Sequence, residues 1–437
     1  MTNDRIQTLS TEQMQTACDD PGTMILDIRP IDAFNGWRLG GEIRGGHIAG
    51  AHSLPAKWAD YIDWMDILQA KKITKDRPVA LYGYDPEETL RVAEQFQRIG
   101  FERVSCYHDF VREWSGHLEL PLQRLPRYRH LVPASWLLNL LCSRKVEDID
   151  NDEVVVCHCH FRNPDDYHSG HIPGSISLDT EVLEAEETWN RRSPAELRAA
   201  LAALGITADT TVICYGRFGY PDNDDPWPGS SAGHLGAFRC AMIMLYAGIR
   251  DVRMLNGGLQ AWEDAGFPIS TTASLPDPIA DVGLDVPGRP ELIIDLPQAQ
   301  EYLQAEDANL VCVRSWPEYI GEVSGYHYIE AKGRIPGCVF ADCGSDAYHM
   351  ENFRNLDHTT RECHEIEHML VAAGIRPEHR NAFYCGTGWR GSEACFNAWL
   401  LGWPQVALFD GGWFEWSNAG LPSEHGMPRT HKTEMRV

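Results

Sequence analysis

The sequence predicts an α/β protein built of three tandem domains, each a mostly parallel sheet with helices on both faces. Three observations carry this expectation. A Gly-[His/Arg]-Ile-[Ala/Pro]-Gly turn occurs three times, at 46–50, 170–174 and 333–337. Each turn is preceded by an apolar, β-branched run and followed by a second short apolar run. Further on in each unit, strand-like and helix-like stretches alternate, the pattern of a parallel sheet with crossover helices.

The elements follow in order. In the first unit, the run at 25–28 reads as a strand, the polar stretch to Gly46 holds a short helix, and the apolar run after Gly50 is the next strand. The second and third units repeat this at 154–179 and 310–342. The later pattern runs over 79–114 in the first unit and 382–416 in the third. Aligned without a gap, Gly100 matches Gly402 and Trp114 matches Trp416, which puts Gly83 where the third unit has Cys385. In the second unit Gly248, Asn256 and Trp262 match Gly402, Asp410 and Trp416, and the cysteine position falls at Tyr215, give or take a residue. The expected domains are 1–128, 129–280 and 281–437, with a Pro-rich extended linker over 275–290.

Composition sets limits on function. Of 437 residues, 43% are hydrophobic and 10% aromatic, enough for each domain to have a core. The net charge of −25 argues against nucleic acid and anionic membrane surfaces, where Lys and Arg must meet phosphates. It also means that an anionic substrate needs a local positive pocket inside a negative field. No stretch approaches the ~20 apolar residues of a membrane span, and residues 1–18 lack a secretory pattern. The expected compartment is the cytoplasm, with the periplasm as the alternative if a leader has been removed. The 13 cysteines are scattered without paired spacing and read as free thiols.

The chemistry concentrates in Cys385-Gly386-Thr387-Gly388-Trp389-Arg390, between a strand and a helical stretch at 391–401. Ligands bind at the C-terminal ends of strands in open α/β sheets. A loop with two glycines can turn several N–H groups to one point, reinforced by the positive end of the next helix. A cysteine in such a nest is favoured as thiolate, the nucleophilic form. The same nest can hold an anionic persulfide.

With its three repeated turns, this loop, and the endings at 256–268 and 409–422, nearly the whole chain resembles the rhodanese or sulfurtransferase superfamily. The CGTG opening is similar to the mercaptopyruvate-type loop. Three units with CGTGW in the last resemble the bacterial three-domain, YnjE-type thiosulfate sulfurtransferases. The resemblance implies ping-pong sulfur transfer: Cys385 takes sulfane sulfur from a small donor, thiosulfate or 3-mercaptopyruvate, and passes it to cyanide, a thiol or a protein. No cofactor or metal is implied. The alternatives are a persulfide relay fed by a sulfur-carrying partner such as a cysteine desulfurase, or a non-catalytic protein-binding scaffold. Cys-containing phosphatases on a related fold have Cys-x5-Arg; Cys385 and Arg390 give the shorter Cys-x4-Arg.

The neighbours have competing readings. Arg390 is assigned to the donor's anionic group, against a salt bridge to an acid such as Glu393. Arg314 follows Cys312 where the family pattern has Asp, which either frees it for substrate or leaves it in a structural pair. Trp389 both walls the pocket and packs on the preceding domain. Thr387 can hydrogen-bond bound sulfur or only brace the loop. Cys395 reads as a buried small hydrophobe rather than a resolving thiol. In 157–160 the two cysteines face one side of a strand and the two histidines the other, which does not suit zinc. His47, His171 and Arg334 read as turn-fixing hydrogen bonders. The first two domains read as inactive, with the loop at 216–232 a candidate contact surface.

Overall fold

The computed structural model describes residues 6–151, 153–218 and 233–428. Most of the candidate contact loop, 219–232, lies outside the described residues. The chain divides into two compact units, Met1–Tyr128 and Arg129–Val437. The first unit carries one five-stranded sheet and the second carries two.

In the first unit the parallel order across the sheet is Gln7–Leu9, Val104–Tyr107, Val79–Tyr82, Met24–Asp27, His52–Ser53. Its central strands Met24–Asp27 and Val79–Tyr82 are buried on both faces, as parallel strands between helix layers must be. Leu26, Leu81 and Val92 are buried together with Phe96 from the Pro86–Arg98 helix. That helix begins at Asp85, whose carboxylate accepts from the Glu87 N–H, with Pro86 in the first turn.

Within the second unit, one sheet runs Ile176–Asp179, Val154–His160, Thr211–Gly216, Asp251–Leu255, Leu131–Val132. The other runs Ile293–Ile294, Val406–Phe409, Arg380–Tyr384, Ala308–Cys312, Val339–Phe340. Each is parallel and keeps the strand order of the first unit, so the repeats in sequence are repeats in topology. The helices Gly233–Ala247 and Trp389–Leu400 pack on each other between the two sheets, with Phe238 and Phe396 edge to face at 5.5 Å. Every residue of Gly233–Ala247 is buried, which explains a helix apolar nearly all round. The stretch at 275–290 is a strap on the preceding domain: Val282 and Ala247 carbonyls accept from Ala208 and Gly288.

Register locates the cysteine position in each repeat. Tyr82 accepts from the Ile48 N–H of the first turn, and Tyr215 does the same for Ile172. Tyr384 ends the corresponding strand of the third repeat. The next residues are Gly83, Gly216 and Cys385, so the second repeat's position is Gly216, one past Tyr215. The turn residues fix turns: His47 and His171 hold the Phe34 and Tyr167 carbonyls at 2.7 and 2.8 Å, and Arg334 donates to Gly426 at 2.7 Å.

Candidate active site

Cys385 follows the strand Arg380–Tyr384 and precedes the helix Trp389–Leu400, whose start sits in the left-handed Gly388 at φ +89°. It is 1% exposed. Two N–H groups of the last helix, from Trp413 and Phe414, donate to the Cys385 and Gly386 carbonyls at 2.9 and 3.0 Å. Gly386 is required by close approach: a Cβ there would stand 2.3 Å from the Tyr326 ring.

The Tyr326 hydroxyl oxygen accepts from the Gly386 N–H at 3.2 Å and from Arg390 at 2.5 Å. With both acceptor positions filled, its own proton is left to donate. Burial keeps Tyr326 a neutral phenol, raising it well above the ordinary tyrosine range against the opposing charge of Arg390. Tyr328 is raised by burial in the same way, and its hydroxyl meets Thr387 at 3.5 Å.

Beside the loop lies a recess of about 400 Å³, its open mouth included. Its wall is aromatic: Phe161 and Trp189 from the second domain, Tyr326, Tyr328, Tyr348 and Trp389 from the third. Trp189 stacks on Tyr328 at 5.1 Å, and Trp389 meets Phe161 edge-on at 5.4 Å. Leu235, Ala347, Thr387 and Arg390 complete the lining.

The sequence expectations fare unevenly here. Trp389 lines the recess, and its indole N–H donates across the domain boundary to Glu184 at 3.1 Å. Arg390 requires a correction. Its guanidinium makes a bidentate pair with Glu318 at 2.8 and 2.9 Å, both side chains buried, and a further bond to the Asp346 carbonyl. A cation so paired has its charge answered before any donor arrives. Glu393 is not its partner but pairs with Arg354.

Arg314 is likewise turned inward. It is fully buried over Trp413, donates to the Gly333 carbonyl at 2.6 Å and to Cys312 Sγ at 3.4 Å, and does not line the recess. Cys312 thus occupies the place of Asp27, which binds Arg29 in the first repeat. Burial opposes ionisation of Cys312, but the Cys338 hydrogen bond and Arg314 outweigh it and lower its thiol below the usual range. Cys395 is fully buried and raised by burial.

Glu318, Tyr326, Tyr328, Tyr348, Phe161 and Trp189 were not singled out from sequence as pocket residues. A signal existed for two: the insertion at 321–332 before the third turn carries Tyr326 and Tyr328. Glu318 was legible only as the far end of a Ser315 capping box. Trp189 lies too far from Cys385 along the chain for any local pattern to join them.

A parallel α/β repeat with a cysteine in a glycine loop at a strand end defines a class. The chain belongs to the rhodanese-like domain family, which it matches over residues 10–117, 146–265 and 295–419. Its activity class is that of the sulfurtransferases. Among relatives, it is 39% identical to the thiosulfate sulfurtransferase YnjE of Escherichia coli, over 90% of this chain and 86% of that one. Among solved structures, it is 54% identical to the anaerobic ergothioneine biosynthesis enzyme of Chlorobium limicola, solved with its natural substrate trimethyl histidine. That likeness has a TM-score of 0.95 and covers 97% of this chain and 100% of the other.

EanB bearing a cysteine persulfide, with ergothioneine, is 54% identical at a TM-score of 0.94, covering 97% and 100% of the two chains. Variants of EanB replace a threonine, a tyrosine and two cysteines. Counted from the persulfide cysteine, these stand where Thr387, Tyr326, Cys312 and Cys343 stand relative to Cys385. Among the described residues no helix is long and apolar enough to cross a membrane.

Proposed function

We propose that this protein moves sulfane sulfur from a Cys385 persulfide onto the ring carbon of an imidazole, with a trimethylated histidine betaine as acceptor. The aromatic recess is the observation that carries the reading. Six aromatic side chains and no unpaired cation suit a quaternary ammonium, which cannot be hydrogen-bonded and is held by ring faces. A thiosulfate dianion would find the nearest guanidinium already matched by Glu318. The likeness to an enzyme solved with trimethyl histidine supports the same acceptor.

The step balances without an outside oxidant. The S–S bond of the persulfide and the ring C–H bond break; a C–S bond forms, and Cys385 leaves as thiolate. The carbon is oxidised by two electrons and the sulfane sulfur is reduced. The carbon's proton is lost to a base, and the product tautomerises to a thione. Tyr326, Tyr328 and Thr387 are the hydroxyls placed to hold the ring nitrogens and move protons. The sulfur reaches Cys385 from a small donor, thiosulfate with loss of sulfite or 3-mercaptopyruvate with loss of pyruvate, or from a persulfide on a sulfur-carrying protein partner.

The test is acceptor choice. The donor-loaded enzyme is offered trimethylated histidine betaine, histidine, and cyanide separately, and each product is quantified by mass spectrometry. Sulfur on the betaine, in preference to histidine, is expected; turnover with cyanide alone would return the protein to the thiosulfate-type reading.

A further inference from the structure

We infer that Glu184, with Arg239, is a positioning pair through which the second domain sets the aromatic wall and so chooses the acceptor. The inference rests on the proposed acceptor. The second repeat has glycine at its own cysteine position, yet it supplies two rings to the recess of the third. Those rings do not arrive by chance packing. The chain folds back between Leu183 and Arg192, with Leu183 and Asn190 carbonyls accepting from Arg192 and Ala185 at 2.9 and 2.8 Å. Trp189, near the tip, sits at φ +61°. That conformation is strained for a bulky residue and persists where the surroundings impose it.

The imposing group is Arg239, fully buried on the central helix. One nitrogen donates to the Trp189 carbonyl at 2.7 Å, its Nε donates to Glu184 at 3.0 Å, and another lies 2.7 Å from Asp410 of the third domain. Glu184 then accepts the Trp389 indole N–H in both oxygens, at 3.1 and 3.2 Å. One buried ion pair therefore holds the backbone of one wall tryptophan and the side chain of the other. It also lies against the nucleophile loop, since a Cβ on Gly388 would stand 3.1 Å from Arg239. Neither Glu184 nor Arg239 lines the recess. Their effect is on the spacing of the rings, and hence on which head group fits between them.

The experiment uses the full-length enzyme, loaded with sulfur, and compares kcat/KM for trimethylated histidine betaine and for histidine. The variants are Glu184→Gln, Trp389→Phe, which keeps the ion pair but removes the N–H donor together with part of the wall ring, and the double variant. The expected result is a loss of preference for the betaine of about tenfold in each single variant, the size of a cation–π contact misplaced, carried by KM with kcat nearly unchanged. The double variant should lose little more than either single, because both remove one interaction. Sulfur uptake by Cys385, read by intact mass, should proceed in Glu184→Gln as in the wild type. A preserved preference in either folded variant would overturn the inference while leaving the acceptor reading intact. A parallel fall of uptake and transfer would also overturn it, as the mark of a merely structural role. A wild type that favours neither acceptor would sink the acceptor reading and this inference together.

Discussion

Arg390 and Glu318 illustrate what a single residue's surroundings decide. The sequence places Arg390 in the nucleophile loop, where a cation invites assignment to a substrate anion. The fold brings Glu318 to it from the far side of the domain, and the two exchange paired hydrogen bonds out of contact with water. Burial raises Glu318, but Arg390 outweighs it and holds the carboxylate below its ordinary range. Removing one charge of such a pair leaves the other unanswered. Glu318→Gln should therefore destabilise the protein by about 3–5 kcal/mol, read as a fall in denaturant midpoint at constant m. Cys385 was legible because a glycine-flanked cysteine after a strand is a local pattern. The partner of Arg390 was not, because a short Ser-x-x-Glu cap carries no mark of the long-range pairing it will make.

At the scale of elements, the alternation of strands and helices was readable in all three repeats, since central strands such as Met24–Asp27, Thr211–Gly216 and Arg380–Tyr384 carry apolar runs. Gly216 could be located only to within a residue, because the loop that follows it in the second repeat is longer and breaks the count. The hairpin carrying Trp189 left no periodic signal at all. Its contribution is testable alone: Trp189→Ala should raise KM for the betaine about tenfold, by loss of one ring face, without altering sulfur uptake by Cys385.

The helix Gly233–Ala247 predicts a pH dependence. Burial, helped by Arg354 and His358, holds His234 near its start well below the ordinary histidine range. The unfolded chain takes up this proton at about pH 6.5 and the folded one does not. Stability attributable to His234 is thus full above about pH 6.5 and falls as pH drops below it. Glu184 and Glu393, raised by burial, bind protons more readily when folded and oppose this at lower pH. The contribution of His234 is the difference in melting temperature between wild type and His234→Asn across pH 7.5 to 5.5; wild type should lose more on acidification, and equal losses would contradict the assignment.

For the whole molecule, the net charge of −25 bears on both halves of the reaction. It repels a thiosulfate dianion, whereas a betaine, whose carboxylate balances its quaternary ammonium, feels little net force. If thiosulfate is the donor, sulfur uptake should quicken by a few-fold as ionic strength rises from about 0.01 to 0.15 M, because the Debye length shrinks from about 30 to 8 Å. Uptake from uncharged donors should change little.

The central claim is that sulfur on Cys385 passes to an imidazole carbon, and one single-turnover measurement addresses it. Protein carrying one extra sulfur on Cys385, freed of donor, is mixed with trimethylated histidine betaine and weighed intact beside the small-molecule fraction. The account predicts that the protein loses about 32 Da while the betaine gains as much, one for one, and that Cys385→Ala, unable to form a thiolate, neither gains nor gives. A persulfide that survives the betaine but is discharged by cyanide would contradict it.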